Sequence, residues 1–498
     1  MKRIVGELGK LSWAKRACVV FMLSAMTEIA LPAQTFTSLF SFDGTDGQSP
    51  SAELVQATNG DLYGTTTTGG TNGGGTIFKI APGGTLTTLY NFCSQTNCTD
   101  GQSPYAGLVQ ATNGYLYGTT TAGGDNGDGT IFQMNPGGTL TTLYNFCSQT
   151  NCADGEVPFA GLVQATNGDL YGTTIAGGAN GGGTIFQMTL GGTLTTLYNF
   201  CSQTNCADGE GPHAGLVQAT NGDLYGTTGK GGANNQGTIF KITPGGTLTT
   251  LYRFCQNLNC AYGTAIQSGL VQAADGYLYG TTLEGGASGM SPGGSVFRIT
   301  PSGTLTTLHS FSCNLTNCTD GHNPVGGLVQ ATNSDLYGTT EDGFGPTNYG
   351  AVFQMTPGGT LTALYNFCSQ TNCADGEDPH AGLVQATNGD LYGTTSYGGS
   401  SSACGQAGCG TVFSLSLGLG PFVKTVPAAG VVGESVRILG YELTGATGVT
   451  FNGVAAAFTV VSSTEIIAGV PSGAITGPVQ VVTPSGTLSS NVPFRVLP

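Results

Sequence analysis

Charged side chains are scarce in this chain of 498 residues. Lys and Arg number 13 and Asp and Glu 28, so only 8% of the residues are charged and the formal net charge is −15. Because few cations are available to neutralise phosphates, this composition argues against binding to nucleic acid through a basic surface. The shortage of Lys, Arg and Glu beside 85 Gly also argues against a helical protein, since glycine is a poor helix former.

The N-terminal apolar stretch is too short to cross a membrane. Residues 17–26 are apolar but fall well short of the roughly 18 residues that a spanning helix needs. Five basic residues precede this stretch, and Ala33 follows it within a plausible cleavage site. The pattern predicts a secretory signal peptide over residues 1–34 and no membrane span in the mature chain, with a membrane anchor as the alternative.

Fourteen of the fifteen cysteines follow the predicted signal peptide, and they form seven pairs with the spacing Cys-x4-Cys. No pair has a second pair or a His at zinc-finger spacing, so disulfides are favoured over metal binding in an exported chain. The predicted pairs are Cys93/Cys98, Cys147/Cys152, Cys201/Cys206, Cys255/Cys260, Cys313/Cys318, Cys368/Cys373 and Cys404/Cys409.

One phrase recurs seven times along the chain: Leu-Val-Gln-Ala, a turn, then Leu-Tyr-Gly-Thr-Thr. Its first Leu falls at Leu54, Leu108, Leu162, Leu216, Leu270, Leu328 and Leu383, with steps of 54, 54, 54, 54, 58 and 55 residues. Repeats of this length indicate propellers or solenoids. Within the first copy, residues 54–57, 61–66, 76–80 and 85–92 are strand candidates separated by short Gly-rich turns, which predicts the four-stranded blade of a β-propeller.

The ends of the repeat region distinguish a ring from a solenoid. The fourth-strand phrase occurs six times, and the seventh copy stops after its third strand. The missing phrase stands at residues 35–42, where it is able to complete the last blade and leave no free edge. We therefore predict an all-β fold in which residues 35–420 form a seven-bladed β-propeller closed by an N-terminal strand.

The repeat unit, Gly-Leu-Val-Gln-Ala through Leu-Tyr-Gly-Thr-Thr to Gly-Gly-Thr-Leu-Thr-Thr-Leu-Tyr-Asn-Phe, resembles the GloVer (Gloeobacter/Verrucomicrobia) tandem repeat. The resemblance covers roughly residues 35–420. It implies an exported bacterial protein at the cell surface, and it implies no particular activity because the family has none established.

The composition changes near residue 421, where Gly-Thr repetition gives way to alternating Val-rich segments without cysteine. Short alternating strands over residues 421–498 predict a small immunoglobulin-like β-sandwich. The order of the segments is similar to the IPT/TIG family, which implies a spacer that displays the propeller or a module used in adhesion.

The predicted topology places the long loops, the cysteine pairs and most acidic residues on one face of the ring. Asp-Gly recurs there at Asp46, Asp100, Asp154, Asp208, Asp320 and Asp375. These carboxylates are candidate ligands for a structural Ca²⁺ or contacts for a polyhydroxylated ligand, and the alternative is simple turn chemistry. Otherwise no cofactor is expected.

No catalytic motif is evident, and the four His are expected to be solvated or to stabilise turns. Near-identical copies favour repeated weak contacts over one active site. Three irregular loops, residues 284–294, 341–350 and 396–410, are where a single specific site would lie. The sequence thus favours a secreted or cell-surface binding or adhesion protein for a polysaccharide or protein partner. The alternatives are a propeller-type lyase or hydrolase acting on carbohydrate and a structural envelope component.

Overall fold

The computed structural model describes residues 34–498, apart from 256–259, 261–262, 265, 287–291, 312, 315–316, 319–320 and 344–348. The predicted signal peptide lies outside the described residues, except for residue 34. Among the residues described, no helix is long and apolar enough to span a membrane.

Each copy of the repeat forms a four-stranded antiparallel sheet, and these are numbered sheets 1 to 7 in chain order. The first strands are Val55–Gln56, Val109–Gln110, Val163–Gln164, Val217–Gln218, Val271–Gln272, Val329–Gln330 and Val384–Gln385. The second strands are Leu62–Thr66, Leu116–Thr120, Leu170–Thr174, Leu224–Thr228, Leu278–Glu284, Leu336–Thr340 and Leu391–Thr395. The third strands are Thr76–Ile80, Thr130–Met134, Thr184–Met188, Thr238–Ile242, Pro292–Ile299, Ala351–Met355 and Thr411–Ser416. The fourth strands are Leu86–Asn91, Leu140–Asn145, Leu194–Asn199, Leu248–Arg253, Leu305–Ser310, Leu361–Asn366 and, in sheet 7, Thr35–Ser41.

The N-terminal strand completes sheet 7, as the sequence predicts. Thr35–Ser41 pairs antiparallel with Thr411–Ser416, from Thr35 opposite Ser416 to Ser41 opposite Thr411. Sheet 7 is thereby built from both ends of the repeat region, and its outermost strand comes from the N-terminal end.

The middle strands of each sheet are buried on both faces. All five residues of Leu170–Thr174 are buried, and four of the five in Thr184–Met188. Side chains alternate between the two faces of a strand, so complete burial requires a neighbour on each side. This explains why the strands do not alternate between apolar and polar residues.

Apolar clusters join each sheet to the next. In the cluster between sheets 1 and 2, Tyr63 and Ile77 pack with Leu116 and Phe132. Equivalent clusters join sheets 2 to 7 in succession. A further cluster packs Tyr392 and Val412 of sheet 7 with Leu62 and Phe78 of sheet 1, so the contacts run in a complete circle.

A circle of hydrogen bonds accompanies the apolar contacts. The Gln that ends each first strand accepts a hydrogen bond through Oε1 from a backbone N–H in the turn of the preceding sheet. Donor–acceptor distances are 2.7 to 3.0 Å. The seventh of these bonds runs from Thr387 N of sheet 7 to Gln56 Oε1 of sheet 1, 2.9 Å apart. Each turn is therefore fixed by the next sheet along the circle.

The C-terminal segment contains two further four-stranded sheets. One consists of Lys424–Val426, Ser435–Leu439, Glu465–Gly469 and Phe458–Val460, and the other of Val454–Ala455, Gly448–Phe451, Val479–Thr483 and Gly486–Ser489. Ala429–Val431 pairs in parallel with Arg495–Leu497. An apolar cluster that includes Val436, Ile466, Val449 and Val481 lies between the sheets.

Short elements occupy the loops. Three-residue 3₁₀ turns form at Thr96–Cys98, Thr150–Cys152, Thr204–Cys206, Ala233–Asn235, Thr371–Cys373 and Gly405–Ala407. Cys313–Asn314 and Asn317–Cys318 form a two-stranded ribbon in the loop after sheet 5.

The C-terminal module, residues 421–498, packs against the turns between first and second strands. Phe422 N donates to Thr387 O at 3.0 Å, Thr464 Oγ1 to Thr58 O at 2.9 Å, and Arg495 Nη1 to Ala219 O at 3.2 Å. These contacts reach sheets 7, 1 and 4. The module is therefore docked against the turns of these sheets, and its role as a spacer or adhesion module stays a prediction.

The glycine of the Leu-Tyr-Gly-Thr-Thr phrase is required by close packing. A Cβ on Gly172 would lie 2.5 Å from Phe186 Cζ and 2.7 Å from Leu162 Cδ2. We expect Gly172→Ala to lower the free energy of unfolding by about 1–3 kcal/mol, as overpacked core sites do, in a denaturant titration. Gly191→Ala is the matched control, because its Cβ would meet no atom closer than 3.8 Å. Equal losses in the two variants would contradict this account of the packing.

Candidate functional site: the central cavity

The cysteine loops lie between consecutive sheets, except for Cys404–Cys409, which lies between the second and third strands of sheet 7. Six of the predicted pairs are joined through their Sγ atoms: Cys93–Cys98, Cys147–Cys152, Cys201–Cys206, Cys255–Cys260, Cys368–Cys373 and Cys404–Cys409. The side chains of Cys313 and Cys318 lie outside the described residues. Each bond closes a loop of only a few residues, so it stiffens the loop more than it stabilises the whole fold.

The Asp of the Asp-Gly dipeptide organises the cysteine loop from inside. Asp100 is completely buried, and its carboxylate accepts hydrogen bonds from Tyr90 Oη, Ser94 Oγ, Ser94 N and Gln95 N at 2.8 to 3.2 Å. The same arrangement, with Tyr, Ser and two backbone donors, recurs at Asp154, Asp208 and Asp375.

The two remaining Asp-Gly positions differ. Asp46 lies in a loop without cysteine and is half-buried; its Oδ1 accepts a hydrogen bond from Asp43 N at 2.9 Å. Asp320 lies outside the described residues.

Hydrogen bonding shifts the titration of these buried carboxyls. Burial raises the pKa of Asp100, but the hydrogen bonds from Ser94, Tyr90 and Gln95 outweigh it and lower the pKa below its ordinary value. The same balance lowers the pKa of Asp154. Both oxygens of each carboxylate thus have hydrogen-bond partners, so stabilisation of the turn is sufficient to explain why Asp stands at these positions. Their role as calcium ligands stays a prediction.

Acidic side chains also approach the disulfides. Asp128 and Glu156 lie near Cys147 and Cys152, with the ligand atoms of all four within 4.8 Å of one another. Similar groups form at Glu210 and Glu377 beside their cysteine pairs. Cysteine binds metals as the thiolate, and these sulfurs are joined in disulfides. The carboxylates are therefore the candidate metal ligands that remain in each group.

A cavity of about 610 Å³ lies where the seven first strands converge. Every sheet contributes the segment that leads into its first strand, and Lys424, Thr425, Val426 and Leu439 of the C-terminal module line the end beside the turns. This central cavity has the size and mixed polar and apolar lining of small-molecule sites.

The opposite end of the central cavity, its mouth, is ringed by one side chain from each sheet. Where other positions of the repeat are nearly identical, this position varies: Ser51, Tyr105, Phe159, His213, Gln267, Val325 and His380. The rings of Tyr105 and Phe159 lie 4.0 Å apart at 31°, and the ring of His213 follows edge-on at 5.8 Å from Phe159. Three neighbouring sheets thus form an aromatic arc on one side of the mouth.

Acidic and imidazole side chains stand on the other side of the mouth. His380 Nε2 lies 3.3 Å from Glu341 Oε1, and His322 Nε2 lies 2.9 Å from Asp342 Oδ2. Burial raises the pKa of Asp378 from 3.8 to about 6; nearby His380 opposes the rise, while Glu341 and Asp342 add to it. Burial also raises the pKa of Tyr105, to which Glu341 contributes from across the mouth.

One carboxylate projects into the narrow part of the central cavity. Glu53 of sheet 1 occupies a position that is glycine in the other sheets: Gly107, Gly161, Gly215, Gly269, Gly327 and Gly382. Close approach of the backbones favours glycine at some of these positions: a Cβ on Gly107 would lie 2.6 Å from Glu53 O and one on Gly382 3.0 Å from Gly327 O, whereas one on Gly327 would meet no atom within 4 Å. Glu53 is therefore the single side chain of this ring.

Glu53 interacts electrostatically with Lys424 of the C-terminal module. Glu53 is exposed to the cavity, yet it lies deep within the protein, so burial raises the pKa of its carboxyl and Lys424 opposes the rise. Burial likewise lowers the pKa of Lys424, opposed by Glu53. Lys424 Nζ also donates a hydrogen bond to Gln385 O at 2.5 Å. The inner end of the cavity thus holds one acceptor group and one donor group.

The sequence pointed to part of this site. Glu341 and Asp342 fall at the start of an irregular loop that it selected, residues 341–350. The histidines are expected to be solvated or to stabilise turns; of these two alternatives, solvation does not fit His322, which is only 7% exposed and paired with Asp342. Glu53 was missed, although its signal is present in the sequence as the one non-glycine among seven aligned copies.

The model of the Gloeobacter/Verrucomicrobia repeat family matches residues 23–153, 93–290 and 269–449, which together cover most of the chain. The chain belongs to this repeat family. No curated protein matches it.

Solved structures resemble this family member at low sequence identity. A copper-bound fungal alcohol oxidase of the AA5 family is 12% identical with a TM-score of 0.52, covering 93% of this chain and 99% of its own. Virginiamycin B lyase from Staphylococcus aureus is 14% identical with a TM-score of 0.49, covering 77% and 99% respectively. At such identities the likeness to the oxidase is one of fold alone.

The role of the buried loop carboxylates is testable at Asp154. Asp154→Ala removes the acceptor of four hydrogen bonds, so we expect a local loss of about 1–3 kcal/mol, read as faster hydrogen exchange at Ser148 and Gln149. Because the pKa of Asp154 is lowered in the folded state, the carboxylate stabilises the fold at neutral pH. This stabilisation is lost as the pH falls through the folded-state pKa. Asp125→Ala, at an exposed carboxylate, is the control; unchanged exchange in Asp154→Ala would contradict the assignment.

Asp378 should destabilise the folded state at high pH. Its folded-state pKa is raised, so the ionised form carries a cost that appears as the pH rises toward and above about 6 and vanishes below the ordinary value of 3.8. We expect Asp378→Asn to gain stability at pH 8 relative to the parent chain, on the order of 1 kcal/mol after solvent screening, and to lose this pH-dependent gain at pH 4. Thermal melting at the two pH values, with Asp125→Asn as control, measures it. A gain of the same size at both pH values would show that the charge is not responsible.

Proposed function

We propose that sheets 1 to 7 are the blades of a seven-bladed β-propeller and that residues 421–498 form an immunoglobulin-like module of the IPT/TIG type. Support for the propeller comes from the circle of apolar clusters, the circle of Gln hydrogen bonds and one cavity lined by all seven sheets. Support for the module comes from two sheets packed over a Val-rich cluster.

We further propose that the mature protein is secreted and acts at the cell surface. The N-terminal basic and apolar pattern supports export. The six joined cysteine pairs fit an oxidising compartment, since such bonds form rarely in the cytosol.

The function that the geometry supports best is binding of a polysaccharide at the mouth of the central cavity. The observation that carries this proposal is the pairing of an aromatic arc, Tyr105 and Phe159, with the carboxylates of Glu341 and Asp378 opposite. Aromatic faces cover the apolar faces of sugar rings, while carboxylates accept hydrogen bonds from hydroxyl groups. A protein partner is the other ligand class that the exposed loops suit.

A carbohydrate-active enzyme is the second candidate, favoured by the convergence of unlike groups near the axis. The raised pKa of Asp378, beside Glu341 and His380, is typical of groups used as general acids or bases. The near-identity of the repeat does not extend to this cluster, so the argument from repetition against a single active site does not apply here.

A glycan and polysaccharide binding screen of residues 35–498, run with calcium and again with chelator, tests the binding proposal. We expect binding that Phe159→Ala weakens by about tenfold, because an aromatic contact at such a site is worth on the order of 1 kcal/mol. Tyr115→Ala is the matched control, since Tyr115 is 40% exposed and lies outside the cavity lining.

The two ionic conditions decide the role of the Asp-Gly positions. Binding lost only with chelator would support calcium ligation by these carboxylates. Binding that is equal in both conditions would leave them with turn chemistry. Silence on every glycan in both conditions would overturn polysaccharide binding, and sugar release from the glycans that bind would favour the enzyme.

A further inference from the structure

The central cavity is closed at one end by the C-terminal module. Phe422 is 2% exposed and Val423 is fully buried, so the start of the module is pressed against the sheets. Lys424 Nζ bonds to Gln385 O, and Lys424, Thr425 and Val426 form the lining there. A ligand that enters the cavity from the mouth therefore meets the C-terminal module at the inner end.

At the opposite end the mouth is accessible. Gln267 is exposed, and the other six members of the mouth ring are half-buried. The aromatic arc thus stands at the entrance, where Tyr105 and Phe159 contact each other. Among the residues described, the cavity is a blind pocket, open on the side of the cysteine loops and bounded at the inner end by the module.

A blind pocket restricts which part of a polymer is able to enter. A chain threading an open channel presents its internal residues, whereas a chain entering a closed one presents only its end. At about 610 Å³ the cavity lies within the range of roughly 300–1,000 Å³ found for small-ligand sites, so it admits a few sugar residues at most.

The chemistry of the inner end suits hydroxyl groups. Glu53 supplies an acceptor and Lys424 a donor, and the rest of the ring around Glu53 is glycine, which leaves backbone at the wall. A hydroxyl donates one hydrogen bond and accepts others, so it is able to bond to both groups at once. An apolar end group would displace water from Glu53 and Lys424 without replacing the hydrogen bonds that the water makes to them.

We propose that this blind pocket binds the terminal sugar of a glycan, with Tyr105 and Phe159 against its ring at the entrance and Glu53 and Lys424 on hydroxyl groups of the end residue. The inference rests on the proposed polysaccharide-binding function and specifies its mode: recognition of chain ends in place of internal segments.

The test compares short and long chains of the same sugars on the full mature chain. Linear hexasaccharides from cellulose, xylan, mannan, starch and chitin are titrated by calorimetry against residues 35–498. Each matched soluble polymer then competes at an equal concentration of sugar residues. If chain ends are recognised, a polymer should compete weakly, because it has few ends per sugar residue. Partial hydrolysis creates ends without changing the total concentration of sugar residues, so it should strengthen the competition.

Substitutions at the floor test the assigned groups. Glu53→Gln keeps the shape but removes the charge, and we expect about tenfold weaker hexasaccharide binding or more, as for loss of a charged hydrogen bond. Glu53→Gly copies the other six sheets, so it keeps the fold while removing the group. Glu156→Gln, at a carboxylate outside the cavity lining, is the control. Far-ultraviolet circular dichroism and melting temperature verify that each variant is folded.

The possible results separate the two proposals. Polymer and hexasaccharide that bind equally per sugar residue, or full affinity in both Glu53 variants, would overturn the inference of chain-end binding and leave surface binding in place. A complete absence of binding to hexasaccharides and polymers alike would overturn both proposals. End-dependent binding that the Glu53 variants weaken would support both.

Discussion

The packing of each sheet against the next is the constraint on which the rest of this structure depends. The second and third strands are apolar on both faces, so a sheet with one free face would expose aromatic and aliphatic side chains to water. Only a circle gives every sheet two neighbours. Glycine in the second strand allows this close packing, because Phe186 and Leu162 occupy the space where a side chain at Gly172 would lie.

Much of this architecture follows from the sequence because repetition averages out local ambiguity. A single copy of Leu-Tyr-Gly-Thr-Thr predicts a strand only weakly, but seven copies at a regular spacing fix the strands and turns together. The displaced fourth strand at residues 35–42 was visible for the same reason, since its absence from the last copy left a gap of the right kind. The strands observed differ from those predicted by only one or two residues at their ends.

The candidate site was predicted poorly, for a physical reason. Its groups come from different copies, and their proximity depends on how far the loops reach across the cavity and on where the module docks, which the repeat pattern does not specify. Asp378 and Tyr105 are far apart in sequence, yet Glu341 acts on the pKa of both. The repeated Asp-Gly is the most regular acidic feature of the sequence, and at Asp100 its carboxylate accepts hydrogen bonds from its own loop and the preceding strand. In a repeat protein, departures from the pattern are the more informative positions.

Because the seven sheets are nearly identical, the repeat itself does not determine which sheets the C-terminal module contacts. The carbonyls that the module contacts, such as Thr58 O and Ala219 O, have a counterpart in the same turn of every sheet, so these acceptors alone do not distinguish one rotation of the module from another. Sheet 1 differs from the other sheets in having a carboxylate, Glu53, where they have glycine, and its charge acts on the pKa of Lys424. Glu53 is also the one acidic residue among the described residues that line the cavity, so a single departure from the repeat changes both the charge of the pocket and the electrostatic surroundings of the docked module.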